Sequence, residues 1–159
     1  MSIERVRAYF GEIGIADRIL EFSQSSATLE LAAQALDVEP ARIAKTLSFM
    51  VGETPTLVVF AGDARADNKR FKVTFHTKAK MLSHDDVARL VGHAIGGVCP
   101  FAVNEGAAVY LDESLKRFGT VFPAAGSSNS AIELTVPELE RYTRALGWVD
   151  VGKGWREGE

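Results

Sequence analysis

Two strand-forming segments follow each other near the middle of the chain. Apolar side chains occupy every second position of residues 46–51, which is the period of a half-buried strand. Gly52 and Glu53 then begin a turn. Residues 56–61 are a continuous apolar run, Thr-Leu-Val-Val-Phe-Ala, typical of a strand buried on both faces. The chain therefore needs a fold with a sheet at its centre.

Helical patterns surround these strands. Residues 2–13 carry apolar side chains at helical spacing, and Gly14 is placed to end that helix. Thr135 and Glu138 form a capping box before a last helix, whose apolar face would include Leu139, Tyr142 and Leu146. Further helices are predicted from Thr28 to about Leu36, after Pro40 and over residues 83–91.

Shorter strands are predicted at residues 18–22, 107–111, 119–124 and 130–134. Because strands and helices mix without strict βαβ alternation, the predicted class is α+β (mixed α/β). The expected architecture is a central mixed, barrel-like sheet wrapped by helices.

Length and composition predict one domain over residues 1–159, with a polar, frayed tail from about residue 152. The chain is 47% hydrophobic and 25% charged, which is ordinary for a soluble globular protein. No apolar run is long enough to cross a bilayer, and the N-terminus is too charged for a signal peptide. We therefore expect a cytoplasmic protein without a membrane partner.

The cysteine and histidine content argues against metal chemistry. A single cysteine, Cys99, permits neither an intrachain disulfide nor a thiolate cluster. The three histidines lack the spacing that places two imidazoles on one helical face. We therefore predict no metal and no cofactor.

The net charge of the chain is −3, but one segment, the basic window over residues 65–80, is positively charged. Residues 65–80 carry +5, so the rest of the chain carries −8. Such a patch could meet one end of a polyanion, although a solvated loop or helix face would look the same. The cations are Arg65, Lys69, Arg70, Lys72, Lys78 and Lys80, and the one acid is Asp67.

A glycine-rich loop over residues 92–101 is the first candidate site. Glycines allow a backbone to approach a ligand and to present successive N–H groups to an anion or an oxyanion. The alternative is a plain turn between a helix and a strand. His93 and Cys99 would permit a Cys-His nucleophile, but nothing in the sequence brings them together, and a lone cysteine is usually a small buried hydrophobe.

Three further features are candidates with ordinary alternatives. Lys45, at the entrance of a strand, could contact a phosphate or could simply reach solvent. Asp63, after the most hydrophobic strand, could reach a site or could cap a turn. Residues 124–130, Ala-Ala-Gly-Ser-Ser-Asn-Ser, could line a pocket with hydroxyl groups or form an ordinary loop.

Taken in order, these pieces resemble one family, the YbaK/EbsC-type aminoacyl-tRNA deacylases. These proteins are related to the editing domain inserted in bacterial prolyl-tRNA synthetases. The resemblance covers about residues 20–146. It rests on Ile43-Ala-Lys-Thr-Leu47, Gly62-Asp63 with Arg65 and Asp67, Lys69 with Lys72, the loop Gly92 to Phe101, Val109 to Leu115, and Ala125-Gly-Ser127.

The resemblance implies hydrolysis of the ester that joins a wrong amino acid to a tRNA. Lys45 would hold the phosphate near the terminal adenosine, and the glycine loop would frame the aminoacyl group and polarise its carbonyl. By this resemblance the catalytic residues are Lys45, Gly96, Gly97 and Val98. The substrate-binding residues are His93, Cys99, Pro100, Asp63, Gly126, Ser127 and Ser128. The tRNA-binding residues are Lys69, Arg70 and Lys72.

Several questions stay open at this stage. The amino acid removed could be Ala, Cys, Ser, Thr or Pro, because small pockets discriminate weakly against single methylene groups. The expected partner is the acceptor end of an aminoacylated tRNA, with a synthetase as a second candidate. The alternatives are an inactive tRNA- or synthetase-binding module of the same fold, a nucleotide or small-molecule sensor, and a Cys-dependent hydrolase.

Overall fold

The computed structural model describes residues 2–23, 28–93 and 98–156. Its α-helices are α1 (Ser2–Glu12), α2 (Leu29–Leu36), α3 (Asn68–Phe75), α4 (His84–Asp86) and α5 (Val136–Thr143). Helix α4 continues as a π-helical turn over Val87–Val91, and short 3-10 turns cover Ala16–Arg18, Pro40–Arg42 and Glu113–Arg117.

The strands are β1 (Ile19–Glu21), β2 (Ile43–Val51), β3 (Thr54–Ala61), β4 (Arg65–Ala66), β5 (Ala108–Asp112), β6 (Thr120–Pro123), β7 (Ser130–Ile132), β8 (Leu134–Thr135), β9 (Gly147–Val149) and β10 (Gly152–Lys153). Six of them form one sheet in the order β8-β6-β2-β3-β5-β9. Two further antiparallel pairs join β1 to β7 and β4 to β10.

The six-stranded sheet is mixed. Strands β2 and β3 are antiparallel over their whole length, from Ala44 opposite Ala61 to Val51 opposite Thr54. The pairs β2–β6, β3–β5 and β5–β9 are parallel, and β6–β8 is antiparallel. The sheet curls into a half-barrel with helices around it, so the predicted fold class is confirmed.

Apolar side chains cover both faces of the sheet. On one face Phe10 of α1 meets Phe101 edge-on, with ring centroids 4.8 Å apart. On the other face Phe71 of α3 packs against Phe49, with centroids 4.7 Å apart, and Phe60 belongs to the same cluster. Burying a phenylalanine contributes about 1.5–3 kcal/mol. Both clusters include residues of the sheet, so this packing holds α1 and α3 to it.

The local signals at three helix ends are confirmed. The Thr28 hydroxyl accepts a hydrogen bond from the Leu31 amide at 3.2 Å. Thr135 and Glu138 form the reciprocal capping box before α5. Gly14, just after α1, has a φ of +80°, a conformation that glycine adopts without strain.

Two predictions about the C-terminal region are wrong. Helix α5 ends at Thr143, because Arg144 takes a left-handed conformation, and Leu146 is therefore 67% exposed instead of lying on the helix face. The tail is ordered where it is described, since Gly152 and Lys153 pair with β4 and Val151 is fully buried.

Among the described residues, no helix combines the length and apolar character that crossing a membrane requires.

Candidate functional site

A cavity of about 350 Å³ opens beside β2. Its walls come from α2, β2, the end of β6 and the loop over residues 124–131. Four of the predicted site residues line it, namely Lys45, Val98, Ser127 and Ser128. These residues are far apart in the sequence, so the fold brings together three of the predicted segments.

The cavity exists because β2 lacks a continuous neighbour on one side. Strand β6 pairs with β2 only at Ile43 and Ala44. Further along, Met50 donates a backbone hydrogen bond to Lys80, and Ser48 accepts one from Leu82. Between these two points, residues 45–47 have no strand partner on that side within the described chain. The gap leaves room for a ligand against the strand edge.

Lys45 is the charged group of this cavity. Its side chain is half-buried, and Nζ donates a hydrogen bond to the Gly62 carbonyl at 3.4 Å. Burial lowers the pKa of Lys45 below its ordinary value, and the nearby negative charge of Asp63 opposes that shift. A partly desolvated ammonium with a weakly held partner can bind an anion strongly.

Gly62 holds this lysine in place through a close backbone approach. A Cβ atom at residue 62 would lie 1.9 Å from the carbonyl oxygen of Pro40. The Gly62 amide also donates to the Ala41 carbonyl at 3.1 Å. Only glycine fits where β3 ends against this turn, and its carbonyl is thereby fixed beneath Lys45.

The loop over residues 124–131 forms another wall of the cavity and is anchored by several contacts. Gly126 has a φ of +102°, and a Cβ atom there would lie 2.7 Å from the Cα of Ile3, so this glycine packs on the start of α1. The Ser127 and Ser130 hydroxyl oxygens are 2.8 Å apart. The Asn129 side chain donates to the Phe22 carbonyl at 3.0 Å. The loop is therefore anchored where Ser127 and Ser128 line the cavity.

Val98, one of the described residues of the glycine loop, lines the cavity. Gly96 and Gly97, predicted to be catalytic, lie outside the described residues. His93, before those residues, and Cys99, just after Val98, are fully buried and do not line the cavity. Pro100 is also buried, and it lines a separate cavity of about 440 Å³.

His93 and Cys99 lie side by side, which the sequence did not predict. The Cys99 sulfur is 3.6 Å from Nε2 of His93, and that same nitrogen lies 2.7 Å from the Phe101 carbonyl oxygen. A carbonyl only accepts, so Nε2 carries a proton and cannot take one from the thiol. Burial raises the pKa of Cys99 to about 12 and lowers that of His93. Both groups are therefore neutral, which argues against a Cys-dependent hydrolase.

The remaining predicted residues lie away from the cavity wall. Asp63 accepts two hydrogen bonds from the Arg117 guanidinium, at 2.8 and 2.5 Å. Lys69 and Lys72 are exposed on α3, and Arg70 pairs with Asp150 at 3.1 Å. No cluster of His, Cys, Asp and Glu suited to a metal ion is found among the described residues.

Sequence reasoning missed several cavity residues. Thr46 and Ser48 present polar side chains within an apolar strand, and that contrast was a signal that could have marked them. Phe22 and Met81 also line the cavity, but only the tertiary fold brings them there.

Comparison with known proteins shows similarity to aminoacyl-tRNA editing proteins. A family model for the aminoacyl-tRNA editing domain matches residues 23–142. The Bacillus subtilis (strain 168) protein YwhH, whose name states no activity, is 51% identical over 156 residues, which are 98% of this chain and 99% of YwhH. An Enterococcus faecalis protein provisionally named Cys-tRNA(Pro)/Cys-tRNA(Cys) deacylase EbsC is 29% identical over 115 residues, covering 71% of this chain and 70% of that protein.

A solved structure agrees over nearly the whole chain. It is the crystal structure of a protein provisionally described as a trans-editing enzyme for prolyl tRNA synthetase. The superposition has a TM-score of 0.87 at 29% identity and covers 96% of this chain and 98% of the other.

Proposed function

We propose that this chain, which belongs to the YbaK/EbsC family of aminoacyl-tRNA editing domains, hydrolyses the ester that joins a wrong amino acid to a tRNA. The observation that carries the proposal is the half-buried Lys45 ammonium at the edge of the β2 cavity. At about 350 Å³ the cavity has the scale of a small-molecule site, which suits an amino acid with part of the terminal nucleoside.

Lys45 is proposed to bind the phosphate next to the terminal adenosine. The half-buried environment supports this role, because a phosphate would replace water lost by the ammonium and would add an opposite charge. The Gly62 carbonyl holds Nζ at 3.4 Å, which is long for a hydrogen bond and easily exchanged for a charged oxygen.

The glycine loop is proposed to polarise the ester carbonyl. Backbone N–H groups of Gly96, Gly97 and Val98 would donate to the oxyanion of the tetrahedral intermediate. One such donor contributes about 3–4 kcal/mol to lowering a barrier of this kind. The position of Val98 on the cavity wall supports this assignment.

The attacking nucleophile is proposed to be water. An aminoacyl ester is already activated, so positioning and oxyanion stabilisation supply much of the required rate. A neighbouring ribose hydroxyl of the tRNA, or a nucleophile on the amino acid itself, can replace a protein base. The neutral state of Cys99 supports a mechanism without a thiolate.

Ser127 and Ser128 are proposed to contact the aminoacyl group from another wall of the cavity, with Gly126 fixing their loop. We assign a supporting role to three buried residues, His93, Cys99 and Pro100, which are proposed to hold the end of the glycine loop in place. The 2.7 Å contact between His93 and the Phe101 carbonyl supports this, because it ties residue 93 to residue 101 across the loop.

The α3 cations Lys69, Arg70 and Lys72 are proposed to contact the acceptor end of the tRNA. Lys69 and Lys72 are exposed, and the basic window around them could attract a polyanion despite the net charge of −3. Association with a synthetase stays a prediction, to be tested by co-purification.

The test is a deacylation panel. Purified protein is incubated with tRNAs carrying Ala, Cys, Ser, Thr or Pro, and ester loss is compared with the loss in buffer alone. Loss of one or two esters above the buffer rate is expected and would identify the substrate. If tRNA binds but no ester is lost, the chain is an inactive binding module. If no tRNA binds either, the tRNA-directed function is wrong.

A further inference from the structure

Asp63 directly follows Gly62, the residue whose carbonyl accepts a hydrogen bond from Lys45, the ammonium on which the proposed function depends. Asp63 acts electrostatically on Lys45. A carboxylate near a lysine can form an ion pair with it, and such a pair would compete with a phosphate for the ammonium.

Arg117 forms a hydrogen bond with each oxygen of the Asp63 carboxylate. Its two terminal nitrogens donate to the two Asp63 oxygens at 2.8 and 2.5 Å. This is the bidentate geometry in which arginine and carboxylate planes match best. Both oxygens are thereby directed toward Arg117.

Arg117 is itself held by several contacts. Its Nε donates to the Ser114 carbonyl at 2.9 Å. Its guanidinium carbon lies 5.0 Å from the centre of the Trp155 ring and 4.8 Å from that of Phe118. A side chain fixed this way loses little further freedom when it binds a carboxylate.

The turn that carries Arg117 is anchored to the end of β3, two residues before Asp63. The Ser114 hydroxyl accepts a hydrogen bond from the Ala61 amide at 3.0 Å, and the Ser114 amide donates to Asp112 at 3.0 Å. Asp112 also accepts from the Val151 amide at 2.9 Å. The end of β3, the 3-10 turn and the C-terminal segment are therefore one connected unit.

We propose that Arg117 is a positioning residue that keeps the Asp63 carboxylate away from the Lys45 ammonium and so leaves that ammonium available for a phosphate. This inference rests on the proposed function, in which Lys45 binds the tRNA phosphate. Without Arg117, the Asp63 side chain turns to Lys45 and forms an ion pair that the phosphate must displace.

The inference is tested by a double-mutant cycle. Arg117→Met removes the charge but keeps an apolar side chain against Trp155, and Asp63→Asn removes the competing carboxylate. In the wild-type background Arg117→Met should lower kcat/KM for ester hydrolysis by about tenfold, the size typical for coupled charged neighbours. In the Asp63→Asn background the same change should have little effect. Arg89→Met, which breaks an exposed pair with Asp86, is the matched control.

A second measurement does not depend on activity. Lysine side chains are labelled with ¹³C, and Lys45 is assigned by loss of its signal in Lys45→Met. Its NMR titration should move to higher pH in Arg117→Met, because a carboxylate then faces the ammonium, and should not do so in the double variant. An unchanged titration in Arg117→Met would overturn the inference. A loss of activity that Asp63→Asn does not rescue would also overturn it, since a merely structural defect would persist.

The two failures can be told apart. If the wild type hydrolyses no ester, the proposed function fails and the NMR titration alone decides whether Arg117 separates the two charges. If the wild type is active and the titrations do not differ, the inference fails and the proposed function stands.

Discussion

Replacing Gly62 by alanine is expected to lower both the stability of the protein and its rate of ester hydrolysis. The new methyl group would lie 1.9 Å from the Pro40 carbonyl oxygen, 3.0 Å from the Pro40 carbonyl carbon and 3.1 Å from Cδ1 of Leu29. Two of these atoms are backbone and cannot rotate away. The end of β3 must therefore move by about 1 Å, which overpacking data suggest costs about 1–3 kcal/mol.

The displacement also strains a hydrogen bond. The Gly62 amide donates to the Ala41 carbonyl at 3.1 Å, and losing that bond adds about 1 kcal/mol. The total of about 2–4 kcal/mol corresponds to a fall in Tm of roughly 5–15 °C for a chain of this size. Hydrolysis should fall even below the new Tm, because the carbonyl that holds Lys45 is displaced.

Thermal unfolding followed by circular dichroism, together with ester hydrolysis at a temperature where both proteins are folded, measures the two effects. Gly119→Ala is the matched control, because nothing lies within 4 Å of its added methyl group. If Gly62→Ala unfolds within about 1 °C of the control and retains full activity, the close approach to Pro40 is not a constraint and the reasoning is refuted.

Three further predictions concern other parts of the fold. Gly11→Ala, in the exposed part of α1 with nothing within 4 Å, should raise stability by up to about 1 kcal/mol through helix propensity; urea unfolding that shows no gain would contradict this. Cys99→Ala should keep most of the hydrolytic activity. The wild-type thiol should resist alkylation by iodoacetamide at pH 8, because burial raises its pKa to about 12. Rapid alkylation with loss of activity would support the thiolate mechanism instead. Hydrogen bonds from Arg18 lower the pKa of Glu138 to about 2 from its ordinary 4.5, so this pair stabilises the fold above pH 4.5 and the contribution is lost as pH falls toward 2. Arg18→Met should flatten the acid limb of stability in that range, and an unchanged limb would show that the pair is not coupled to folding.

The long strands of the fold could be predicted from the local pattern of apolar residues. The alternation in residues 46–51 and the apolar run in residues 56–61 gave β2 and β3, although β2 begins earlier, at Ile43. Strands β9 and β10 have three and two residues and carry no periodicity of their own. Their existence depends on pairing with β5 and β4, which are distant in sequence. Short strands of this kind are set by tertiary contacts.

The site could be predicted only in part, for the same reason. Lys45 and the serines of the 124–131 loop were predicted and do line one cavity. Asp63 was predicted to bind substrate. In the structure its carboxylate pairs with Arg117, which lies 54 residues further along the chain. No residue pattern near Asp63 predicts this partner, because an ion pair between residues distant in sequence depends on the fold and not on local spacing.

We propose that aminoacyl-tRNA is hydrolysed in the β2 cavity while Lys45 binds a phosphate of the tRNA. The most direct measurement is single-turnover hydrolysis of the preferred ester by the wild type, Lys45→Met and Lys116→Met. Lys116 pairs with Glu113 on the surface at 2.8 Å and serves as the control for loss of one positive charge. We predict that Lys45→Met loses at least about tenfold in rate while Lys116→Met matches the wild type. Equal rates for all three proteins would contradict the account.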